Sequence, residues 1–255
     1  MSLLIALRSE IIKTKRTASF YFTLLGAAPV PAIFLLNVLT GGGDLKDTRN
    51  DPLNAIFELG LERSGLIFFP MFVILVCTLL PQIEYRNHTW KQVMASPLTR
   101  ASVFGAKFLN IQALILLFLA TSLLYLGVVI IIIHFAMPDL QLLQQPFNGL
   151  LVLQNAFDLY VCLLAVSAIQ FWIGMRSKNF IVPVAIGFVM WLTGTFLTME
   201  YKSDLSVYFP YSYQAFPIVS VFKSHLQEVQ LISLGYTAFF LLLGFLDFKR
   251  KAVSK

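Results

Sequence analysis

Asp158, in the stretch QNAFDLYVC, is the one acid lodged well inside a long apolar run. A carboxylate at that depth is costly, which makes it a default candidate for lining a polar substrate path. No basic residue lies in another apolar run to pair with it. A plain structural reading therefore competes: a hydrogen bond to a nearby Gln, Asn or Tyr, or a place nearer the outer interface. Asn37, Gln112, Gln154, Asn155 and Gln170 are the other main polar residues in such runs. They suggest no nucleophile–base pair at a common depth. His88, His134 and His225 fall on different sides of the expected membrane, and no HExxH, paired-aspartate or cysteine-pair pattern occurs, so no metal or haem site is expected. TGGGDLKDT lacks the Gly-Lys-[Ser/Thr] ending of a phosphate-binding loop. The chain is expected to carry no cofactor and to hydrolyse no ATP of its own.

The remaining polar feature is EYRNHTWKQVMASPLTR, residues 84–100, between two long apolar runs. Its pattern predicts a short helix over 87–95, with Asn87 as cap and Ser96-Pro97 as stop, because the residue before proline avoids the helical region. Trp90, Val93 and Met94 share one face at i, i+3, i+4 spacing, and His88, Lys91 and Gln92 lie elsewhere. Thr99 is positioned to cap the next helix, which carries Arg100 and Lys107 into the following run. Three roles are open from these residues: a plain connector, a helix resting on lipid, or a handle for a partner.

These residues must be positioned by membrane-spanning helices. The chain is 58% hydrophobic and only 13% charged, about half the charge of an ordinary soluble domain. Its apolar runs are unbroken, as in LILLFLATSLLYLGVVIIII, so they read as helices rather than barrel strands. Six spans are expected near 18–39, 64–83, 108–136, 150–173, 179–199 and 228–247, making an all-α polytopic fold of one domain over residues 1–255. The third run is long enough to tilt or project. The first span is expected to act as its own insertion signal, without a cleavable leader. Fourteen of the 19 basic residues fall before the first span, in the connections 84–107 and 174–179, or after the last span. The positive-inside rule then puts both termini in the cytoplasm. The net charge of +6 is explained by this topology and by anionic lipid, with no nucleic-acid partner. Cys77 and Cys162 lie in spans and read as small core residues.

Residues 2–17 read as an amphipathic helix with Leu4, Leu7 and Ile11 at helical spacing. An interfacial helix and a simple basic anchor stand level for this segment. Pro29 and Pro31, after Gly26, are hinge candidates in the first span, as a mobile joint or a static bend. A short helix is expected near 52–62 in the outer connection 40–63. Residues 200–227 are too apolar for a free loop and too proline-broken for a span. They read as short helices dipping into the outer leaflet, or as an aromatic interfacial belt.

EYRNHTWKQVMASPLTRASVFGAKFL resembles the glutamate, Asn/Gly-x-Thr, small-Pro-hydrophobic-[Ser/Thr]-Arg and downstream Lys pattern of type-2 ATP-binding-cassette permeases. Its size, six spans and basic amphipathic start are most similar to the subgroup of lantibiotic and bacitracin self-protection permeases. The resemblance implies a transport subunit in a bacterial cytoplasmic membrane, paired with a second, identical or paralogous permease. Two separate ATPase subunits would hold ATP and Mg2+. It implies that Glu84, Asn87, His88, Thr89, Trp90, Lys91, Val93, Met94, Pro97 and Arg100 belong to a coupling helix and its hinge that dock on the ATPase, with a smaller contact at 174–179. The spans near 18–39 and 179–199 would meet the second permease, with Gly187 and Gly194 keeping one face small. The leading function is thus outward movement of an amphipathic peptide, drug or lipid-like molecule. A polytopic membrane enzyme and a structural or sensory membrane protein are the alternatives.

Overall fold

The computed structural model describes residues 2–15, 17–40, 51–87, 89–95 and 97–251. Among them the chain is all-helical, and six helices are long and apolar enough to cross a membrane. Helix α1 (Ser2–Thr14) precedes a first span made of α2 (Ala18–Gly26) and α3 (Pro29–Leu39). The break at Ala27-Ala28 has a direct cause. Pro29 and Pro31 lack the amide hydrogens that would continue the ladder, and Ala28 closes a tight turn onto the Leu25 carbonyl at 3.2 Å.

The second span is longer than the expected 64–83. Asp51 accepts a hydrogen bond from the Asn54 amide and Pro52 opens the helix, so α4 (Pro52–Arg63) starts far out. It runs through a π-turn at Ser64–Phe68 into α5 (Phe69–Arg86) without interruption. The expected short helix at 52–62 is therefore the first third of one 35-residue span. Its apolar face explains the continuity: Leu53, Ile56, Phe57 and Leu61 are buried with Leu126, Val129 and Ile133 of the third span.

The loop helix α6 (Trp90–Ala95) leads to α7 (Arg100–Ala136), α8 (Gly149–Arg176), α9 (Ile181–Met199) and α10 (Leu226–Lys251). Thr99 caps α7 as expected, accepting from the Ser102 amide at 3.2 Å. At 37 residues α7 is about 55 Å long, well beyond the roughly 30 Å of hydrocarbon, so it tilts or projects. The central core lies among α5, α7 and α8, where the Phe72 and Phe118 rings stack at 4.2 Å. Cys77 and Cys162 are free and buried.

Residues 200–227 form three short 3-10 turns, Asp204–Tyr208, Pro210–Ala215 and Ser220–His225, rather than α-helices. Pro210–Ala215 and Phe216 are all buried, packed against α8 and α9. Tyr211, Tyr213 and Phe216 thus serve the bundle rather than an aromatic belt, and Tyr208 remains exposed. Pro210 opens the middle turn and Pro217 follows its end, so no regular helix runs through the segment.

Gly187 and Gly194 correct a further expectation. A Cβ on Gly194 would collide with the Tyr211 carbonyl, and one on Gly187 with the Gln170 amide and Ile74. Their small face is used inside this chain. The exposed apolar face of α9 carries Ile181, Ile186, Val189 and Phe196 instead.

Candidate functional site

The loop helix begins at Trp90, not at 87. Asn87 ends α5, its amide bonded to the Ile83 carbonyl at 3.1 Å, and so caps the preceding helix rather than the loop helix. The chain then turns sharply: the Thr89 amide reaches the Glu84 carbonyl at 3.1 Å, and the Thr89 carbonyl accepts from Val93 at 3.0 Å. Trp90 and Val93 face inward, partly buried against the central core. The Trp90 ring lies 5.3 Å from Tyr85 and 6.0 Å from Phe248. Their apolar face is therefore the seat of the loop helix, and the outward side of the loop presents Asn87, Gln92, Pro97 and Arg100, all exposed. His88 lies outside the described residues, as do the side chains of Lys91 and Met94.

Beneath that seat lies a cluster of charges. Lys107, only 2% exposed at the start of α7, donates to Glu84 Oε1 at 2.5 Å and to Glu10 Oε2 at 2.9 Å. Lys13 donates to Glu10 Oε1 at 2.7 Å and lies 3.4 Å from Glu84 Oε1. The Lys107 ammonium also stands 5.5 Å from the Trp90 ring, within cation–π range. Asn110, one turn along α7, donates to the Thr14 hydroxyl at 2.7 Å. Within this cluster Glu84 Oε2 and the Trp90 indole nitrogen are buried with no hydrogen-bond partner among the described residues.

The cluster exists because α1 buries a polar stripe. Ala6, Glu10 and Thr14, spaced by four, face α7, and Leu3, Leu4, Ile5 and Ile12 are exposed. Of the three apolar residues at helical spacing, Leu4 is exposed and Leu7 and Ile11 are half-buried. This arrangement suits a helix lying in an interface, where apolar side chains meet lipid and charges turn to protein. Burial pushes the Glu10 carboxyl up, but the Lys107 charge and the Lys13 hydrogen bond outweigh it and hold the group below its usual value. For Lys13, burial acts downward and is outweighed by the Glu10 and Glu84 carboxylates, which raise it. A cleft of about 500 Å³ opens beside the cluster, between α1 and the loop, lined by Ser9, Glu10, Lys13, Glu84, Asn87 and Gln92 among others.

Spacing alone did not reveal this cluster. Glu84 falls at the expected hinge, but Lys13 and Lys107 stand in the sequence only among the basic residues that set topology, and no spacing links Glu10 to either. A polar cluster at one depth does exist, although four groups forming two compensated pairs hold no free nucleophile. The second short connection also meets the bundle: Gln82 donates to the Ser177 carbonyl at 2.8 Å, and Tyr85 to the Met175 carbonyl at 2.8 Å. Trp172 and Arg176 close that corner on Asp247, at 2.8 Å and 3.4 Å.

Asp158 is far from this site. It is half-buried nine residues into α8 and accepts from Gln230 Nε2 of α10 at 2.8 Å. That is the structural alternative raised by its sequence: an amide partner toward the end of the bundle opposite the loop helix. Among the described residues no group of three His, Cys, Asp or Glu side chains is arranged to hold a metal.

Residues 6–194, well over half of the chain, match the family described as ABC-2 family transporter protein. No curated protein matches the chain. The matched region takes in α1 from Ala6, the loop helix, Lys107 and most of α9.

Proposed function

The chain belongs to the ABC-2 transporter family, and on that premise we propose that it is the transmembrane subunit of an ATP-driven exporter. Separate ATPase subunits, carrying ATP and Mg2+, dock on the loop helix; a second permease, identical or paralogous, completes the translocation path. The chain sits in a bacterial cytoplasmic membrane with both termini inside. Its cargo is amphipathic: a peptide, drug or lipid-like molecule suits helices whose interior is lined by apolar and neutral polar groups.

One observation carries the docking part of this reading. The loop between the second and third spans is a six-residue helix whose apolar side is seated on the bundle and whose hinge is tied to both flanking spans through Glu84 and Lys107. A push on such a helix moves α5 and α7 together, since a buried ion pair resists separation. Closure of ATPase subunits on nucleotide would then be converted to alternating access.

The test is purification of the full chain from its native membrane under conditions that preserve complexes. A subunit with a phosphate-binding loop and ATPase activity is expected to co-purify. Gln92→Glu on the outward side is expected to weaken that capture several-fold without changing the melting temperature of the permease. Recovery without an ATPase, or undiminished capture by Gln92→Glu, moves docking away from this loop.

A further inference from the structure

α1 is joined to the loop hinge by charge, not merely laid against the bundle. Lys107 Nζ bridges Glu10 of α1 and Glu84 of α5 at 2.9 Å and 2.5 Å, and all three side chains are at most 11% exposed. Lys13 adds a second, more exposed bridge between the same two carboxylates. The Trp90 ring of the loop helix covers the Lys107 ammonium. One lysine is thus held by α1, the second span and the loop helix at once. Glu84 is only 2% exposed at its side chain, so separation would leave a largely buried carboxylate uncompensated.

From this we infer that Lys107, Glu10 and Glu84 are positioning residues that make the surface helix α1 a moving part of the transmission. When the loop helix is driven, α1 travels with α5 and α7 and carries its apolar edge, Leu3, Leu4, Ile5 and Ile12, across the lipid interface. This deepens the docking reading and rests on it. α1 has its own seat on α7, through Ala6 and the Thr14–Asn110 bond. That seat holds its resting place even when the ionic link is cut, so resting position and driven movement are separable.

The experiment uses the full chain with its captured ATPase, carrying nitroxide labels at Leu4→Cys and Leu150→Cys, both exposed and at opposite ends of the bundle. Cys77 and Cys162 are fully buried and do not compete for label. Distances are measured by pulsed electron resonance, without nucleotide and with ATP trapped by vanadate. Trapping is expected to shift the wild-type distance by about 2 Å or more, the scale of helix shifts in switching proteins. Glu10→Gln, which leaves Glu84–Lys107 intact, is expected to at least halve that shift, and Glu10→Gln with Lys13→Met to abolish it. Capture and the resting distance should stay at wild-type values in both. A purely structural role for Glu10 would instead change the resting distance in Glu10→Gln. That result, an unshifted wild type, or a full shift in the double variant would overturn the inference with docking intact. Failure of the wild type to capture any ATPase would overturn the docking reading and this inference with it.

Discussion

Replacing Lys107 with methionine removes one ammonium and leaves two carboxylates that had shared it. Glu84 is 2% exposed and Glu10 11% at their side chains, so bulk water compensates little of either charge. Breaking a buried pair by deleting one partner costs about 3–5 kcal/mol, because a buried charge is left unpaired. Lys13 offsets part of this, at 2.7 Å from Glu10 and 3.4 Å from Glu84, but its side chain is 38% exposed and its field is screened. Loss of the cation–π contact with the partly buried Trp90 ring adds about 1 kcal/mol. The net expectation is about 3–4 kcal/mol for Lys107→Met, against about 0.5 kcal/mol for Lys13→Met, whose pairs are near the surface. Adding Glu84→Gln to Lys107→Met should recover at least about 1 kcal/mol, since the amide carries no charge to strand. The assay is reversible unfolding of the purified chain in mixed micelles, followed by circular dichroism. If Lys107→Met costs no more than Lys13→Met, or if Glu84→Gln adds to the damage, the buried cluster is not held as described.

Because Glu10 is held below its usual 4.5, its contribution to stability is fully present above that value and is lost as pH falls through the lowered one. Melting temperatures measured from pH 7 down to pH 3 should therefore fall less steeply in Glu10→Gln than in wild type. Lys13 is raised above 10.5, so its contribution is present below that pH and lost only on more alkaline titration, which Lys13→Met should flatten. Gly194→Ala should destabilise by about 2 kcal/mol or more, since its Cβ meets the Tyr211 backbone, which has nowhere to retreat. Gly127→Ala and Gly235→Ala, with nothing within 4 Å of the added carbon, should be neutral or stabilise by up to about 1 kcal/mol. Asp158→Asn keeps an acceptor for Gln230 and should change stability by under about 1 kcal/mol, so a large transport defect in that variant would mark a role in the substrate path.

The spans were legible because hydrocarbon thickness imposes a length and a composition on any crossing helix, and the runs starting near 108, 150 and 179 met both. Thr99 was legible as a cap because its hydroxyl acts within three residues of its own position. What failed were features settled by contacts distant along the chain. The extension of the second span to Pro52 depends on Leu126 and Val129 covering its outer face, which no local pattern at 52–63 reports. Trp90 and Val93 were correctly grouped on one face, but periodicity does not say whether a face meets a partner or its own bundle. Glu10 and Lys107 are 97 residues apart. A local clue did exist, for Ala6, Glu10 and Thr14 form a small-and-polar stripe on a helix whose other sides are apolar or basic. Lys107 with Asn110 at i+3 forms its counterpart at the start of a very apolar helix.

The loop-helix end and the middle of the bundle are joined by different chemistry, and that difference bears on where it can move. At the loop-helix end, α1, α5 and α7 meet through ion pairs, whose energy falls slowly with distance, so small shifts keep the groups attracted. Deeper in the bundle, where α9 packs on α5 and α8, the joints are neutral and short-ranged. Gln170, with its oxygen toward Tyr211, accepts from that hydroxyl at 2.9 Å and from the Gly187 amide at 3.3 Å, and donates to the Pro183 carbonyl at 3.3 Å. It thereby bridges the pair of backbone groups that would close one turn of α9. Trp191 likewise donates to the Leu66 carbonyl at 3.1 Å, inside the π-turn, where the widened ladder frees an acceptor. Such bonds weaken steeply once stretched or bent, and Gly194 leaves no slack against the Tyr211 backbone. A bundle end that tolerates displacement and a mid-bundle contact that is either latched or released make a lever whose bend falls at the π-turn. Movement imposed at Glu84 and Lys107 would then be taken up by bending at Ser64–Phe68, and the Trp191–Leu66 bond is the first contact such bending must strain.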